Sequence, residues 1–189
     1  MADGNKVRFG LSKVYVGTYE DNNGAVTLGT PQAVPGAVSL NLDPETAESI
    51  FHADNIKYFV RKQSNGYTGD LVMAKFPDSF RTAFMNYVAI TGGGIGETKL
   101  LKNKTVYIEF QVEGDVQDRR TILYNVELGA ITEEHNTVED EIEVQTESLD
   151  ITVVGDNTTG LVKSSFEKGD SAYAAFYTTP PTPALPASM

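Results

Sequence analysis

Any chemistry performed by this 189-residue chain has to come from two histidines, twenty-six carboxylates and one glycine-rich run, because the sequence contains no cysteine. That absence removes a thiol nucleophile, a disulfide scaffold, a zinc finger and an iron–sulfur site together. His52 stands in Phe51-His52-Ala53-Asp54, a pairing that could make a general base of the imidazole. No nucleophile accompanies it, and a lone histidine beside one aspartate more often makes a structural hydrogen bond. The second imidazole, His135, is remote in sequence, so the pair cannot complete a usual zinc set. Glu133-Glu134 and Glu139-Asp140-Glu141 could act as paired carboxylates or calcium ligands, but calcium loops place acids at alternating positions around a turning glycine. The run Thr91-Gly92-Gly93-Gly94-Ile95-Gly96-Glu97 invites a phosphate-loop reading. A phosphate loop ends in Gly-Lys-Ser or Gly-Lys-Thr and follows a strand, whereas here Gly96 precedes Glu97 and the preceding segment has helical periodicity. No catalytic residue, metal site or cofactor is therefore expected.

With 40% hydrophobic residues and this length, the chain can bury roughly 70% of its unfolded surface and build one self-standing core. No run approaches the ~20 apolar residues of a membrane span, and the start, Met1-Ala2-Asp3-Gly4-Asn5-Lys6, lacks the apolar stretch of a secretory leader. Without a leader, the glycosylation patterns at Asn103-Lys104-Thr105 and Asn157-Thr158-Thr159 carry no meaning, and a soluble, cytosolically made protein without membrane contact is expected. The formal charge of −11 is concentrated. Residues 109–150 hold thirteen acids and two bases, and the remainder is neutral. Such a segment can be a solvated face, or a surface that repels phosphate or recruits a basic partner. It does not suit gripping nucleic acid through its phosphates.

The elements that would position these groups are mostly strands. Val7, Phe9 and Leu11 alternate, and the phase slips at Ser12-Lys13 before Val14 and Val16, as in a bulged strand. Residues 17–36 carry Gly17, Gly24, Gly29, Pro31, Pro35 and Gly36 around the turn set Asp21-Asn22-Asn23-Gly24 and predict a long exposed hairpin or loop. Strands are expected over 37–42, weakly over 46–51, and over 56–60. Asn65-Gly66 predicts a hairpin turn into a strand over 67–76. Phe80, Ala83, Phe84, Tyr87 and Val88 recur at helical spacing, so one helix is predicted from Asp78 or Ser79 to about Ala89. Further strands are expected over 105–112, 119–128, 141–154 and 172–178. In the first, Val106, Ile108, Phe110 and Val112 face the core and Tyr107, Glu109 and Gln111 a wet or paired side. In the third, Glu141, Glu143, Gln145 and Glu147 share a face. The fold class is mainly β (α+β), a sandwich or barrel with one flanking helix. A single domain over 1–179 would be followed by a 180–189 arm holding half of the eight prolines, extended and mobile.

Several ordered segments carry a resemblance: Gly4 to Gly17, Pro35-Gly36-Ala37-Val38-Ser39-Leu40, Phe51-His52-Ala53-Asp54-Asn55, and above all Asn65-Gly66-Tyr67-Thr68-Gly69-Asp70-Leu71 leading through Phe76-Pro77-Asp78-Ser79-Phe80. Together these resemble the major tail (tail tube) proteins of long-tailed, non-contractile bacteriophages, over most of residues 4–90. Beyond residue 100 only the order of elements matches. The resemblance implies a structural virion protein, assembled in the host cytoplasm, whose hexameric rings stack into a tube around a tape-measure protein. It implies tail terminator or distal tail proteins as end partners, and DNA passing through the lumen without specific binding. It further implies that the long loop and terminal arms bridge rings, which makes Asp21, Asn22, Asn23 and Gly24 candidate inter-ring contacts. Glu141, Glu143 and Glu147 become candidate lumen-lining acids. The alternative is a surface receptor- or carbohydrate-binding tail component, for which the nine tyrosines would supply aromatic platforms. An enzyme based on His52 and Asp54, or on a carboxylate pair, is the third option.

Overall fold

The computed structural model describes residues 10–53, 56–135, 137 and 145–186, with only the backbone described at residues 49 and 51–53. Eleven strands and one helix follow in the order β1 (Leu11–Asn22), β2 (Ala25–Leu28), β3 (Gln32–Ala33), β4 (Ala37–Ala53), β5 (Ile56–Met73), α1 (Asp78–Phe84), β6 (Tyr87–Ala89), β7 (Ile95–Glu97), β8 (Val106–Val112), β9 (Arg120–Glu133), β10 (Glu147–Val153) and β11 (Lys163–Phe166). Nine of the strands form one antiparallel sheet in the order β2-β1-β8-β9-β10-β5-β4, with β3 added to β1 and β11 to β9; β6 and β7 form a separate hairpin. The class is mainly β with one helix, as expected. The sheet stays open at β2 and β4, so the barrel alternative does not hold.

The core explains the order. Val14, Val16, Leu71, Met73, Val106, Ile108, Leu123, Val126, Leu149, Ile151 and Val153 project from five strands into one cluster, and α1 closes it with Phe80 and Phe84. Phe76, Phe80 and Phe84 stack in series with centroids 5.1 and 5.4 Å apart. The helix is shorter than its periodicity predicts, and neither Asp78 nor Ser79 caps it with a side chain. Pro77 occupies the N-cap, and the backbone turns extended at Met85. Tyr87–Ala89 instead pairs with Ile95–Glu97, and glycines 92 to 94, all at positive φ, lie in the turn between them. A three-residue strand satisfies its backbone by pairing with β7, and that outweighs the apolar spacing at Tyr87 and Val88.

A second, smaller core lies on the other face of β1, β8 and β9, where Tyr19, Tyr107, Ile122, Tyr124 and Phe176 are buried together. Of the wet or paired alternatives for this side of β8, the wet one does not hold: Tyr107, Glu109 and Gln111 are all buried. Its cover is residues 169–183, predicted in part as a strand but folded as consecutive turns up to residue 179. The proline-rich arm begins on this cover rather than free of it, since the Tyr124 hydroxyl donates to the Pro181 carbonyl at 3.0 Å and Pro183 is buried. Residues 187–189 lie outside the described residues, as does the predicted strand start at Val7 and Phe9.

The largest departure from expectation is at Asn65-Gly66. These residues do not turn the chain; they sit inside the 18-residue β5, whose partner β4 runs 17 residues. The register passes from Gly66 opposite Glu45 to Ser64 opposite Thr46, so Asn65 is an extra residue and Gly66, at φ +109°, forms a bulge. Glycine is required there. A Cβ on Gly66 would stand 2.0 Å from the Val153 carbonyl oxygen, where β10 ends against β5. Gly66→Ala is therefore expected to cost roughly 2–4 kcal/mol, from left-handed strain plus backbone clash. Urea unfolding followed by circular dichroism measures it, and a loss below that of a surface substitution would show that β5 does not need the bulge.

Candidate functional site

Among the described residues, two surfaces of the β9-β10-β5-β4 half of the sheet are left uncovered. The first is the sheet face opposite the main core. Alternation along β10 sends Leu149, Ile151 and Val153 into the core and leaves Asp150 and Thr152 exposed. Across the strands Glu127 lies beside Thr152, Thr152 beside Thr68, and Thr68 beside Asp43; in the next row Asp150 lies beside Asp70, and Asp70 beside Asn41. The rows carry Asp43, Asp70, Glu127 and Asp150 among short hydroxyl and amide side chains. No lysine or arginine stands in either row. Asn41 Nδ2 donates to Asp70 Oδ2 at 3.0 Å, and the Thr105 hydroxyl to Glu127 Oε1 at 2.9 Å. Gly129 keeps the face flat, since a Cβ there would meet Asp150 Cβ at 2.9 Å, while Gly69, on the core-side row, allows a close strand approach in which a Cβ would meet the Asn41 carbonyl at 2.0 Å.

The second surface is the outer part of the β4–β5 hairpin. Beyond Tyr67, where β10 pairing stops, β5 has only β4 beside it, and every described side chain from Ile56 to Asn65 is exposed. Tyr58 is 72% exposed and Phe59 56%, with Ile50, Ile56 and Val60 also open to solvent. Lys57, Arg61 and Lys62 share this arm. A two-stranded ribbon with apolar residues on both faces gains little stability in water by itself, and an exposed apolar patch of this kind marks an interaction site. Sequence alternation detects the pieces of the arm but not their union, because the junctions at residues 42–46 and 60–66 contain Pro44, Asn65 and Gly66. Pro44 lacks a ladder donor and is tolerated because β4 is an edge strand.

The predicted residues are placed as follows. Asp21, Asn22, Asn23 and Gly24 form the exposed tip of a tight β1–β2 hairpin, where Asn22 pairs with Ala25 and the Gly24 amide donates to Asp21 Oδ1 at 2.8 Å. The 17–36 segment is therefore a short hairpin tied to the sheet, and the long excursion is β4–β5. Glu141 and Glu143 lie outside the described residues, as do Asp54, Glu139 and Asp140. Glu147 does not stand on a wet strand face with the exposed acids. It is half-buried on the core side, 2.8 Å from Arg81, and accepts the Phe76 amide at 2.6 Å. Arg81 itself is buried and also binds Glu133 at 2.6 Å and the Tyr87 hydroxyl at 3.2 Å, so one guanidinium joins α1 to β9, β10 and β6. Burial works against its charge, but hydrogen bonding to Glu133 and attraction to Glu147 outweigh it. Among the described residues no His, Asp or Glu group converges to hold a metal ion, and no helix is long and apolar enough to cross a membrane.

No family's sequence pattern matches the chain, and no curated protein sequence does. Among the solved structures to which the chain is similar at low identity are two tube-related ones. A chain of the PVC sheath–tube complex of an extracellular contractile injection system, in the extended state, matches with a TM-score of 0.42 and 10% identity, over 86% of this chain and 94% of its own. A chain of the anti-feeding prophage cap, the AFP tube terminating cap, matches with a TM-score of 0.36 and 9% identity, over 89% of this chain and 98% of its own.

The Arg81 junction makes a prediction with a pH signature. Hydrogen bonding from Arg81 holds the Glu133 carboxyl below its ordinary range, so its contribution is present above that range and is lost as pH falls through the lowered value. Arg81→Met is expected to cost about 2–3 kcal/mol, with the half-exposed Glu133 keeping the loss below that of a fully buried pair. Thermal melts between pH 3 and 7 should show a shallower acid decline in the variant; parallel declines would exclude the pair as its source.

Proposed function

We propose that this chain is a tail tube protein, a structural subunit whose copies close into rings and stack into a hollow conduit. The observation that carries the proposal is the β4–β5 arm, long, apolar on both faces and uncovered by its own chain. The ordered sequence resemblance over residues 4–90 points the same way. The motif Asn65-Gly66-Tyr67-Thr68-Gly69-Asp70 now has physical content: it holds the bulge, the close strand approach and one acid of the open face, where arm meets sheet.

The strand directions permit ring closure. β9, β10, β5 and β4 alternate in direction, so the outer edge of β4 in one copy runs antiparallel to the part of β9 beyond Val126, where pairing with β8 ends, in a copy related by rotation. Residues 37–43 precede Pro44 and keep their edge donors for such a partner. The acidic face with Asp43, Asp70, Glu127 and Asp150 would then line the lumen together with Glu141 and Glu143. A phosphate backbone is repelled by such a wall and passes without being held. The exposed Asp21–Gly24 tip is a second contact between rings, and the tape-measure protein and the end-capping tail proteins are the remaining partners. Tyr107 and Tyr124 are buried while Tyr58 is exposed, which weakens the aromatic-platform alternative of sugar binding. Nothing in this role requires catalysis.

Negative-stain microscopy of concentrated protein tests the proposal, with rings or tubes expected. Tyr58→Asp with Phe59→Asp should keep the monomer's melting temperature, because neither side chain reaches the core, while raising the concentration needed for assembly at least about tenfold. A wild-type protein that stays monomeric across concentration and ionic strength would sink the reading. Asp70→Lys with Asp150→Lys should leave assembly intact and slow DNA release from particles; failure to assemble would remove this face from the lumen.

A further inference from the structure

Beneath the cover of the second core lies a carboxyl group that the assembly role does not use. Glu109 is fully buried, and neither of its carboxyl oxygens has a hydrogen-bond partner among the described residues; Arg120 Nε is buried and unpartnered in the same region. Glu109 projects between Tyr15 of β1 and Ile122 of β9, its cross-strand neighbours. The residues over it come from the turn segment 169–183. Tyr177 stacks on Tyr15 with centroids 4.6 Å apart, Phe176 is buried against Tyr107 and Tyr124, and Tyr173 and Tyr177 lie 3.8 and 4.8 Å from the Arg120 guanidinium.

We propose that residues 169–183 form a releasable strap whose closed state requires Glu109 to be neutral, so that ionisation of this carboxyl opens the strap and uncovers the tyrosine face of β1, β8 and β9. The closed strap offers the charged form nothing. A carboxylate sealed among aromatic rings with no donor at hydrogen-bond distance among the described residues is disfavoured despite the nearby Arg120 charge, whereas its protonated form is tolerated. Burial accordingly pushes the Glu109 carboxyl up to about 8, against the opposing pull of Arg120.

The surroundings give no second group that would reverse this. From β1 come Tyr15 and Lys13, and the Lys13 ammonium is committed to Gln111 Oε1 at 3.0 Å. From β8 comes Tyr107, whose hydroxyl donates to the Gly29 carbonyl at 2.6 Å. From β9 come Tyr124 and Arg120, the latter donating to the Tyr173 carbonyl at 2.5 Å. Asp118, in the loop before β9, accepts from the Tyr173 hydroxyl at 2.8 Å, and Asp156 accepts from Tyr19 at 2.8 Å. The strap itself supplies Tyr173 and Tyr177. Burial pushes the Tyr107, Tyr124 and Tyr177 hydroxyls up, so they stay neutral where Glu109 titrates. The strap can leave without breaking the sheet: its own amide bonds are local, Tyr173 to Asp170 and Thr178 and Thr179 to Ala175, such single turns do not persist once their packing is lost, and it hangs from β11 through Gly169 at φ +121°.

The sign follows from linkage. The closed state binds the Glu109 proton up to about 8, while an opened carboxyl releases it in the ordinary range near 4.5, so closure weakens by up to roughly tenfold per pH unit between those values and levels off above them. Hydrogen exchange of the full chain, expressed as protection factors at pH 6 and pH 9, tests the proposal. The amides of Tyr173, Thr178 and Thr179 should lose protection by at least about tenfold, while those of Leu149 and Ile151 in β10 hold theirs. Glu109→Gln, which removes the ionisation but keeps the shape, should abolish the pH dependence in the strap. Unchanged strap protection in the wild type, an equal loss in β10, or the same pH response in a folded Glu109→Gln protein would each overturn it. Should that variant fail to fold, the wild-type comparison of strap with β10 still decides the outcome.

Discussion

One constraint organises the molecule: a single sheet whose β1-β8-β9 half is covered on both faces and whose β10-β5-β4 half is covered on one. A sheet that carries apolar side chains on both faces has to find two covers. α1 with the facing strands supplies one, and the C-terminal turns supply the other. Where the second cover stops, the residues become Ser, Thr, Asn and Asp, and the face turns to solvent. The open face, the free β4 edge and the projecting arm all follow from the point at which that cover ends.

The two covers are fastened by different physics. α1 is short and has no side-chain cap, so its place is set by the Phe76, Phe80 and Phe84 stack and by the Arg81 junction with Glu133 and Glu147. A buried guanidinium is tolerated only when its donors are satisfied, and satisfying them fixes the helix against β9 and β10 at once. The C-terminal cover has aromatic contact instead: Phe176 buried in the second core, Tyr177 against Tyr15, and Tyr173 over Arg120. That contact area is favourable, but it lies over a carboxyl with no partner. One cover is therefore tied by complementary charge and the other is held against a desolvation cost.

Much of the strand content was legible from alternation. Val106 to Val112 and Ile122 to Leu128 are strands because successive residues face opposite ways, and the sequence shows that directly. The helix was legible at Phe80 and Phe84 but not in its end, since Tyr87 and Val88 continue the helical spacing while their backbone pairs with β7. Asn65-Gly66 misleads for a comparable reason. Positive φ serves a hairpin turn and a bulge equally well, and only the approach of Val153 selects the bulge. Of the candidate residues, the Asp21–Gly24 turn was readable as a turn, whereas Glu147 was assigned to a wet face because its charge says nothing about Arg81, sixty-six positions away.

By itself, then, the sequence determined a cysteine-free, mainly β chain with one helix and an acidic segment rich in strand alternation. These are local properties, carried by residue type and by spacings of two to four. Only the tertiary structure decided which faces are dry. The burial of Glu109, the exposure of Tyr58 and Phe59, and the gathering of Asp43, Asp70, Glu127 and Asp150 on one surface depend on pairings between residues far apart in the chain. Alternation states that two faces differ; what packs against each is set by strand order and by where the C-terminal segment comes to rest.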